Sequence, residues 1–178
     1  MVDDGDRELV QRCLRGDCEA FEPLVARYQH VLFNVALRMV GDPEDARDVA
    51  QTAFVKAFEK LGSFDLRHRF FSWLYRIMLN EALNLVERRR PTVPLTSEVA
   101  LGLDPGAVLE ATECAELVQA ALGELPFDSR QVLVLRHFGE LSYQEMSEAL
   151  GIPEKTVKSR LFTARQRLGE ILQARGVR

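Results

Sequence analysis

The fold is decided by residues 141–162, which read LSYQEMSEALGIPEKTVKSRLF. A serine followed three residues later by a glutamate, at Ser142 and Glu145, is typical of a capping box at the start of a helix. Gly151 then predicts a turn, after which a longer helix begins at Glu154. A short capped helix, a tight turn with glycine and a longer helix make up a helix-turn-helix, in which the second helix enters the DNA major groove.

The last helix, predicted from Glu154 to about Ala174, carries a concentrated positive charge. From Lys155 to Arg178 there are seven basic residues and one acid, Glu170, a local balance of +6 in a chain whose total is −4. A chain that is acidic overall is not a polycation that coats nucleic acid unaided, so a basic site must be local. The buried side of this helix is predicted to be the stripe Val157, Leu161, Ala164 and Leu168.

The opposite side of the last helix is predicted to face DNA. Its cations suit phosphates, its serine and a lysine suit base edges, and its phenylalanine suits a thymine methyl group. The alternative is a solvated basic helix that packs on its neighbours. The candidate DNA-binding residues are Lys155, Lys158, Ser159, Arg160, Phe162 and Arg165.

Apolar residues recur at helical spacing along the whole chain, which predicts an all-α fold. We expect two small helical domains, at 1–90 and 114–178. A proline-containing segment at 91–113, with four acids and no lysine or arginine, is predicted to be a flexible linker between them. The other helices are predicted at about 6–15, 21–41, 43–61, 69–89, 115–122, 128–138 and 142–150, with Pro23 marking a kink or a late start in the second and Asp42 capping the third.

The predicted fourth helix begins with an unusual run of aromatic residues. Interleaved with arginines and followed by asparagines, they could stack on and hydrogen-bond with unpaired bases. Aromatic residues at helical spacing are more often part of a core, which we expect of Phe71, Leu74, Ile77 and Met78. The residues by themselves leave Phe64, Arg76 and Asn80 open between a functional and a structural role.

Composition excludes several other classes of protein. A chain of 178 residues with 47% hydrophobic and 28% charged residues can bury a core, and no stretch is apolar for long enough to span a membrane. Three cysteines, Cys13, Cys18 and Cys114, without a C-x-x-C pair fit a reducing compartment, so we expect a cytoplasmic protein. The sequence lacks the phosphate-loop, nucleophile-elbow, zinc-protease and dinucleotide motifs. We therefore expect no enzyme, no catalytic residue, no metal and no cofactor.

Two sets of motifs in this order resemble the small sigma factors of bacterial RNA polymerase, the extracytoplasmic-function (ECF) group of the sigma-70 family. The resemblance runs from about residue 5 to 172. The first domain resembles region 2 of that family through GDCEAF at 16–21, DPEDARDVAQTAF at 42–54, and FSWLYRI at 71–77 with Asn80. The second domain resembles region 4 through LSYQEM at 141–146 and GIPEKTVKSRLF at 151–162.

The resemblance implies roles for particular residues. Asp48, Gln51 and Phe54 would dock on a coiled coil of the largest polymerase subunit. Phe64 and Asn80 would capture a base flipped out of the melted downstream promoter element, with Trp73 and Arg76 alongside. The last helix would read the upstream promoter element as a duplex.

The partners implied by the resemblance are core RNA polymerase, promoter DNA and an anti-sigma factor, which in this family is often anchored in a membrane. No small-molecule substrate is implied. The alternative from the same residues is a two-domain helix-turn-helix regulator that binds its operator without being a polymerase subunit. An interaction module is a third class, but it does not account for the charge concentrated on the last helix.

Overall fold

The computed structural model describes residues 4–88 and 105–176 and consists of α-helices joined by short turns. Short 3₁₀ turns at Cys18–Phe21 and Leu61–Ser63 precede the second helix and follow the third. The all-α prediction is confirmed, and none of the helices in these two ranges is both long and apolar enough to cross a membrane. The helices are α1 (Asp4–Leu14), α2 (Glu22–Val40), α3 (Pro43–Glu59), α4 (Phe70–Arg88), α5 (Pro105–Glu124), α6 (Phe127–His137), α7 (Tyr143–Leu150) and α8 (Glu154–Ala174).

The predicted cap at Asp42 is confirmed, and of the two alternatives for Pro23 the structure shows a late start. The α2 helix begins at Glu22 with Pro23 in its first turn, where a missing N–H costs nothing, so the proline marks a late start after a 3₁₀ turn. The Asp42 side chain accepts hydrogen bonds from the N–H groups of Glu44 and Asp45, each at 3.0 Å. These two bonds satisfy amides that the first turn of a helix leaves without partners.

The linker prediction is wrong for its last part, because α5 already begins at Pro105. Proline is tolerated in the first turn of a helix, and the alanine, leucine and glutamate residues that follow favour a helix. Composition suggested that Pro105 interrupts helical structure, whereas it is the first residue of α5. The part of the predicted linker between 91 and 104 lies outside the described residues.

The first domain is a bundle in which α2, α3 and α4 pack on one another, with α1 beside them. Leu74 and Met78 of α4 are fully buried, as predicted, whereas Phe71 and Ile77 lie half-buried at the margin of the core. Burial of such side chains is the main favourable term in folding. The fully buried large side chains of this bundle are Val10, Leu24, Leu32, Met39, Leu74, Tyr75 and Met78.

The second domain has α8 as its central helix, in contact with α5, α6 and α7. The predicted buried stripe is confirmed for Val157, Leu161 and Ala164, and Leu168 packs half-buried against the same core. The capping box of α7 is complete. Ser142 Oγ accepts from the N–H of Glu145 at 3.2 Å, and Glu145 Oε2 accepts from the N–H of Ser142 at 2.8 Å.

The two bundles lie in contact at the C-terminal end of α2. Arg130 of α6 donates to the carbonyl of Met39 at 2.5 Å, and within its own domain to the carbonyl of Gly123 at 2.7 Å. Gln119 of α5 donates to the carbonyl of Leu37 at 3.3 Å. The Met39 carbonyl lies in the last turn of α2, where carbonyls lack partners within the helix, whereas the Leu37 carbonyl also accepts from the N–H of Gly41 at 2.8 Å. Side chains from the second domain therefore add hydrogen bonds at the end of a helix in the first.

A buried carboxylate fastens α1 to α2. Asp6 is 4% exposed and accepts hydrogen bonds from the Arg27 guanidinium and the Tyr28 hydroxyl. Burial and the bond to Asp6 together raise the pKa of Tyr28 above its ordinary value, so Tyr28 stays protonated and continues to donate.

We expect Asp6→Ala to lower the free energy of unfolding by about 1–3 kcal/mol, because it removes the buried carboxylate that accepts from the half-buried Tyr28 and from the Arg27 guanidinium. The matched control is Glu44→Ala, which removes an exposed ion pair with Arg47 and should change stability by about 0–1 kcal/mol. Urea unfolding of both variants measures the difference. Equal losses in the two variants would contradict the structural role of Asp6.

Candidate nucleic-acid and polymerase interfaces

The outer face of α8 is open to solvent. Lys155, Lys158, Ser159 and Arg165 are exposed, as predicted, and Phe162 is 65% exposed. An aromatic ring that is exposed on a basic helix does not belong to the core, and such a ring is typical of a contact surface. This face therefore presents cations, a hydroxyl and an apolar ring side by side.

Two neighbours position Lys158. Its Nζ lies 3.5 Å from Glu154 Oε2 and 5.2 Å from the centre of the Tyr143 ring on α7. Both contacts hold the ammonium near the N-terminal part of α8, beside the turn between the two helices. The lysine is therefore oriented over the helix-turn-helix and remains exposed.

Arg160 and Arg165 lie on the flanks of this face. Arg160 is half-buried and reaches back to α6, where its Nη1 lies 3.2 Å from Asp128 Oδ2. Arg165 Nη2 lies 3.4 Å from His137 Nε2. Burial, together with the charges of Arg165 and Arg136, lowers the pKa of His137, so a neutral imidazole faces Arg165 at neutral pH. Arg165 keeps an exposed guanidinium, whereas Arg160 is engaged within its own domain.

Phe64 belongs to the aromatic core of the first domain, which favours the structural one of the two roles that the sequence left open. The base-capture role that the family resemblance implies stays a prediction. The Phe64 side chain is 8% exposed, and its ring centre lies 5.0 Å from that of Trp73 and 5.9 Å from that of Phe70. In the loop after Phe64, the Asp65 carboxylate accepts from the N–H and the guanidinium of Arg67. Phe64 supports Trp73, which is half-buried and reaches the surface.

Arg76 and Asn80 are exposed one turn apart on α4, on the side where Trp73 emerges. The guanidinium of Arg76 also approaches the second domain. A Cβ atom built on Gly151 would stand 2.8 Å from Arg76 Nη2, closer than such atoms come. Gly151 has a φ of +65°, in the left-handed region that favours glycine, whereas the end of the flexible Arg76 side chain could move aside from a Cβ atom there.

The polymerase-binding prediction on α3 is corrected at one position. Asp48 and Gln51 are exposed, but Phe54 is 9% exposed and packs into the bundle, so it cannot be an exposed apolar anchor. The exposed apolar residues beside them are Val55 and Phe58, at 57% and 42%. The spacing 48, 51, 55, 58 places them on one stripe, which helical arithmetic on the sequence could have found.

One pair at the contact between the domains was not predicted. Arg69, just before α4, forms an ion pair with Glu145, the capping residue of α7. Periodicity and capping signals describe single helices, so nothing in them connects two residues that lie so far apart in the chain.

Comparison with known protein families gives two matches in the order expected. The family description Sigma-70 region 2 matches residues 24–92, and the description Sigma-70, region 4 matches residues 115–168. The first match contains the exposed stripe of α3 and the aromatic start of α4. The second contains the helix-turn-helix.

Relatives along the full length agree with these matches. The RNA polymerase sigma-H factor of Pseudomonas aeruginosa is 38% identical over 97% of this chain and 96% of its own length. The ECF RNA polymerase sigma-E factor of Escherichia coli is 35% identical over 94% of each chain. This chain therefore belongs to the sigma-70 family, as an RNA polymerase sigma factor of the ECF group.

Solved structures agree with the fold. The structure of CnrH in complex with the cytosolic domain of CnrY is 33% identical, with a TM-score of 0.74 over 96% of this chain and 98% of that one. The sigma factor RpoE of Bartonella quintana, in complex with the anti-sigma factor NepR, has a TM-score of 0.68 at 23% identity and covers 86% of this chain, which supports the fold. The comparisons favour a polymerase sigma factor over a helix-turn-helix regulator that acts without polymerase.

The two phenylalanines Phe64 and Phe162 should behave oppositely on truncation. Phe64→Ala is expected to lower the free energy of unfolding by about 3 kcal/mol, because it opens a cavity among packed rings. Phe162→Ala is expected to change it by less than about 0.5 kcal/mol, because the ring is mostly in solvent. Urea unfolding checks both variants, and a large loss for Phe162→Ala would show that this ring is part of a core.

Proposed function

We propose that this sigma factor confers promoter specificity by joining core RNA polymerase and reading two promoter elements, one with each domain. The domain at 1–90 would dock on the polymerase and capture the melted downstream element, and the domain at 114–178 would read the upstream element as a duplex. The observation that carries this proposal is the exposed basic face of α8 with Phe162 at its centre, mounted on a complete helix-turn-helix in an acidic chain. Promoter recognition of this kind requires binding alone and no covalent chemistry.

The upstream element would be read by the outer face of α8. Lys158 and Ser159 lie near the start of the helix, the part that usually reaches base edges in a helix-turn-helix. Phe162, one turn later, would contact a thymine methyl group. Lys155 and Arg165 would hold phosphates, which gives affinity without sequence information. Arg160 would contribute by fixing α8 on α6 through Asp128.

The downstream element would be read by the exposed side of α4. An unpaired base needs an aromatic surface to stack on and a polar group to read its edge. Trp73 offers the surface, Asn80 the edge-reading amide, and Arg76 a cation for the backbone. Phe64 would contribute indirectly, because its ring packs against Trp73 and keeps the Trp73 ring in place.

Polymerase docking would use the stripe Asp48, Gln51, Val55 and Phe58 on α3. It combines exposed apolar side chains with a carboxylate and an amide, the mixture that protein interfaces present. Because Phe54 is buried, Val55 and Phe58 would supply the apolar contact. The acid would favour a partner surface of positive charge.

We also propose that an anti-sigma factor, which in this family is often anchored in a membrane, is a partner, as the family resemblance implies. The RpoE structure of Bartonella quintana shows that a protein of this fold is bound by such a factor. Since RNA polymerase works in the cytoplasm, the chain would act there.

DNA binding with and without core enzyme tests the proposal against a stand-alone regulator. The chain alone should bind duplex promoter DNA weakly, and the complex with core polymerase should bind it tightly, because the enzyme holds both domains on the DNA at once. Gel shift on a pool of promoter fragments from the source organism measures both. Tight, sequence-specific binding by the chain alone, unchanged by core enzyme, would overturn the proposal.

Contacts of α8 to bases and contacts to phosphates should affect DNA binding differently, the first through sequence discrimination and the second through salt dependence. Lys158→Ala is expected to lose discrimination at one or two positions of the upstream element, by about 1–3 kcal/mol. Arg165→Ala is expected to weaken all sequences alike and to lower the salt slope by about one. The assay is binding of the polymerase complex to wild-type and singly substituted promoters across a salt series. If Lys158→Ala weakens every sequence equally, Lys158 is a phosphate contact.

Charge reversal on α3 tests the docking stripe. Asp48→Arg should lower the affinity for core polymerase at least tenfold, which corresponds to about 1.4 kcal/mol, since it places a cation against a basic partner. Helicity should be unchanged, because the side chain is exposed. Glu116→Arg, the same reversal at an exposed position on α5, is the control and should bind normally. Equal affinities of the two variants, measured by fluorescence anisotropy, would remove α3 from the interface.

A further inference from the structure

The C-terminal end of α6 lies beside the DNA-facing surface proposed for α8. His137 is the last residue of α6, and α8 packs against this helix. The Nε2 atom of His137 lies 3.4 Å from Arg165 Nη2, and both side chains are exposed. An imidazole from one helix and a guanidinium from another therefore lie side by side at the edge of that surface.

The imidazole of His137 is neutral in the free chain at neutral pH. Partial burial, the charge of Arg165 and the charge of Arg136 lower the pKa of His137, and burial contributes most. The α2 and α7 helices also pack against α6, and none of their described residues adds a charge that acts on the ring. A neutral imidazole has one ring nitrogen that accepts, so Nε2 can accept a hydrogen bond from the Arg165 guanidinium.

A DNA phosphate bound to Arg165 would reverse this balance. It brings a negative charge close to the imidazole, and a nearby opposite charge favours the protonated form of histidine. A protonated imidazole donates from both ring nitrogens, so it can bind the same phosphate. The position of His137 at the end of α6 also favours a cation, because the C-terminal end of a helix carries partial negative charge.

We propose that His137 and Arg165 form one phosphate-binding pair, which binds the DNA backbone beside the upstream element and takes up a proton as it does so. The pair rests on the proposed role of α8 in DNA binding. It extends the DNA-binding surface from α8 to the end of α6, and it adds affinity without sequence information.

Proton uptake makes the affinity depend on pH. Since bound DNA raises the pKa of His137 above its value in the free chain, affinity rises as the pH falls through the bound value and becomes constant below the free value. A phosphate contact also releases counterions, so its contribution weakens as salt concentration rises. The pair therefore predicts a pH effect and a salt effect that belong to the same residue.

The test compares wild type with His137→Gln, each in complex with core polymerase, for binding to promoter fragments at constant salt. The affinity ratio of wild type to His137→Gln should rise about threefold to tenfold between about pH 8 and about pH 6, and the ratio cancels the pH dependence of the polymerase itself. At the lower pH, His137→Gln should lower the salt slope by about one and weaken all sequences alike. The matched control is His30→Gln, an exposed histidine on α2, whose ratio should not change with pH.

A second variant keeps the test valid if His137→Gln unfolds, which circular dichroism detects. His137→Lys carries a permanent cation, so at about pH 8 it should bind as tightly as wild type binds at about pH 6, and the pH effect should disappear. A histidine that only supports the fold of α6 would not be replaced by lysine in this way.

Three results would overturn the proposal. A ratio of wild type to His137→Gln that does not change with pH, while Arg165→Ala still weakens binding, would show that Arg165 binds its phosphate alone. A pH effect that is the same in His137→Lys as in wild type would assign it to another group. If Arg165→Ala and His137→Gln both bind as wild type does at each pH, the pair falls together with the proposed phosphate role of Arg165.

Discussion

Glu145 is the residue on which most of the arrangement depends. One carboxylate oxygen accepts from the N–H of Ser142 and starts α7, and the other pairs with Arg69 of the first domain. Burial by itself would raise the pKa of this carboxyl, but the bonds from Ser142 and the charge of Arg69 outweigh it and hold the pKa below its ordinary value. The carboxylate stays ionised at neutral pH, so helix initiation and domain contact are held by the same charge.

Two proposed DNA-reading surfaces, the outer face of α8 and the exposed side of α4, are positioned by the helices around them. A capped α7 and a turn at Gly151 set the direction of α8, and the buried stripe of α8 turns Lys158, Ser159 and Phe162 outward. In the first domain the Phe64 ring supports Trp73. Both surfaces are small and local, which agrees with a net charge of −4 and with a protein that gains DNA affinity by joining a larger assembly.

Much of this could be predicted from the sequence, because the signals were local. Three of these signals are short-range patterns whose physics does not depend on the rest of the chain: the cap at Asp42, the capping box at Ser142 and the turn at Gly151, which has a positive φ. The buried stripe of α8 follows from helical spacing alone. Family resemblance added roles for Asp48, Gln51 and Asn80 that no spacing implied, and these roles stay predictions.

The features that the sequence did not predict have a common physical cause, since they depend on contacts with residues that are distant in the chain or on the surrounding sequence. Whether Phe54 or Val55 faces solvent, and whether Phe64 stacks inward, is decided by which neighbours pack against them, and residue type does not show this. Pro105 is a starter of α5 because of the helix-favouring residues after it. The Arg69–Glu145 pair joins two domains, so only the assembled structure could reveal it.

The central claim is that this chain makes core RNA polymerase select promoters. Run-off transcription with purified core polymerase and a pool of promoter fragments from the source organism tests it most directly. The account predicts transcripts from a small, defined set of promoters only when the chain is added, and their loss with Asp48→Arg. Transcription that is the same with and without the chain would contradict it.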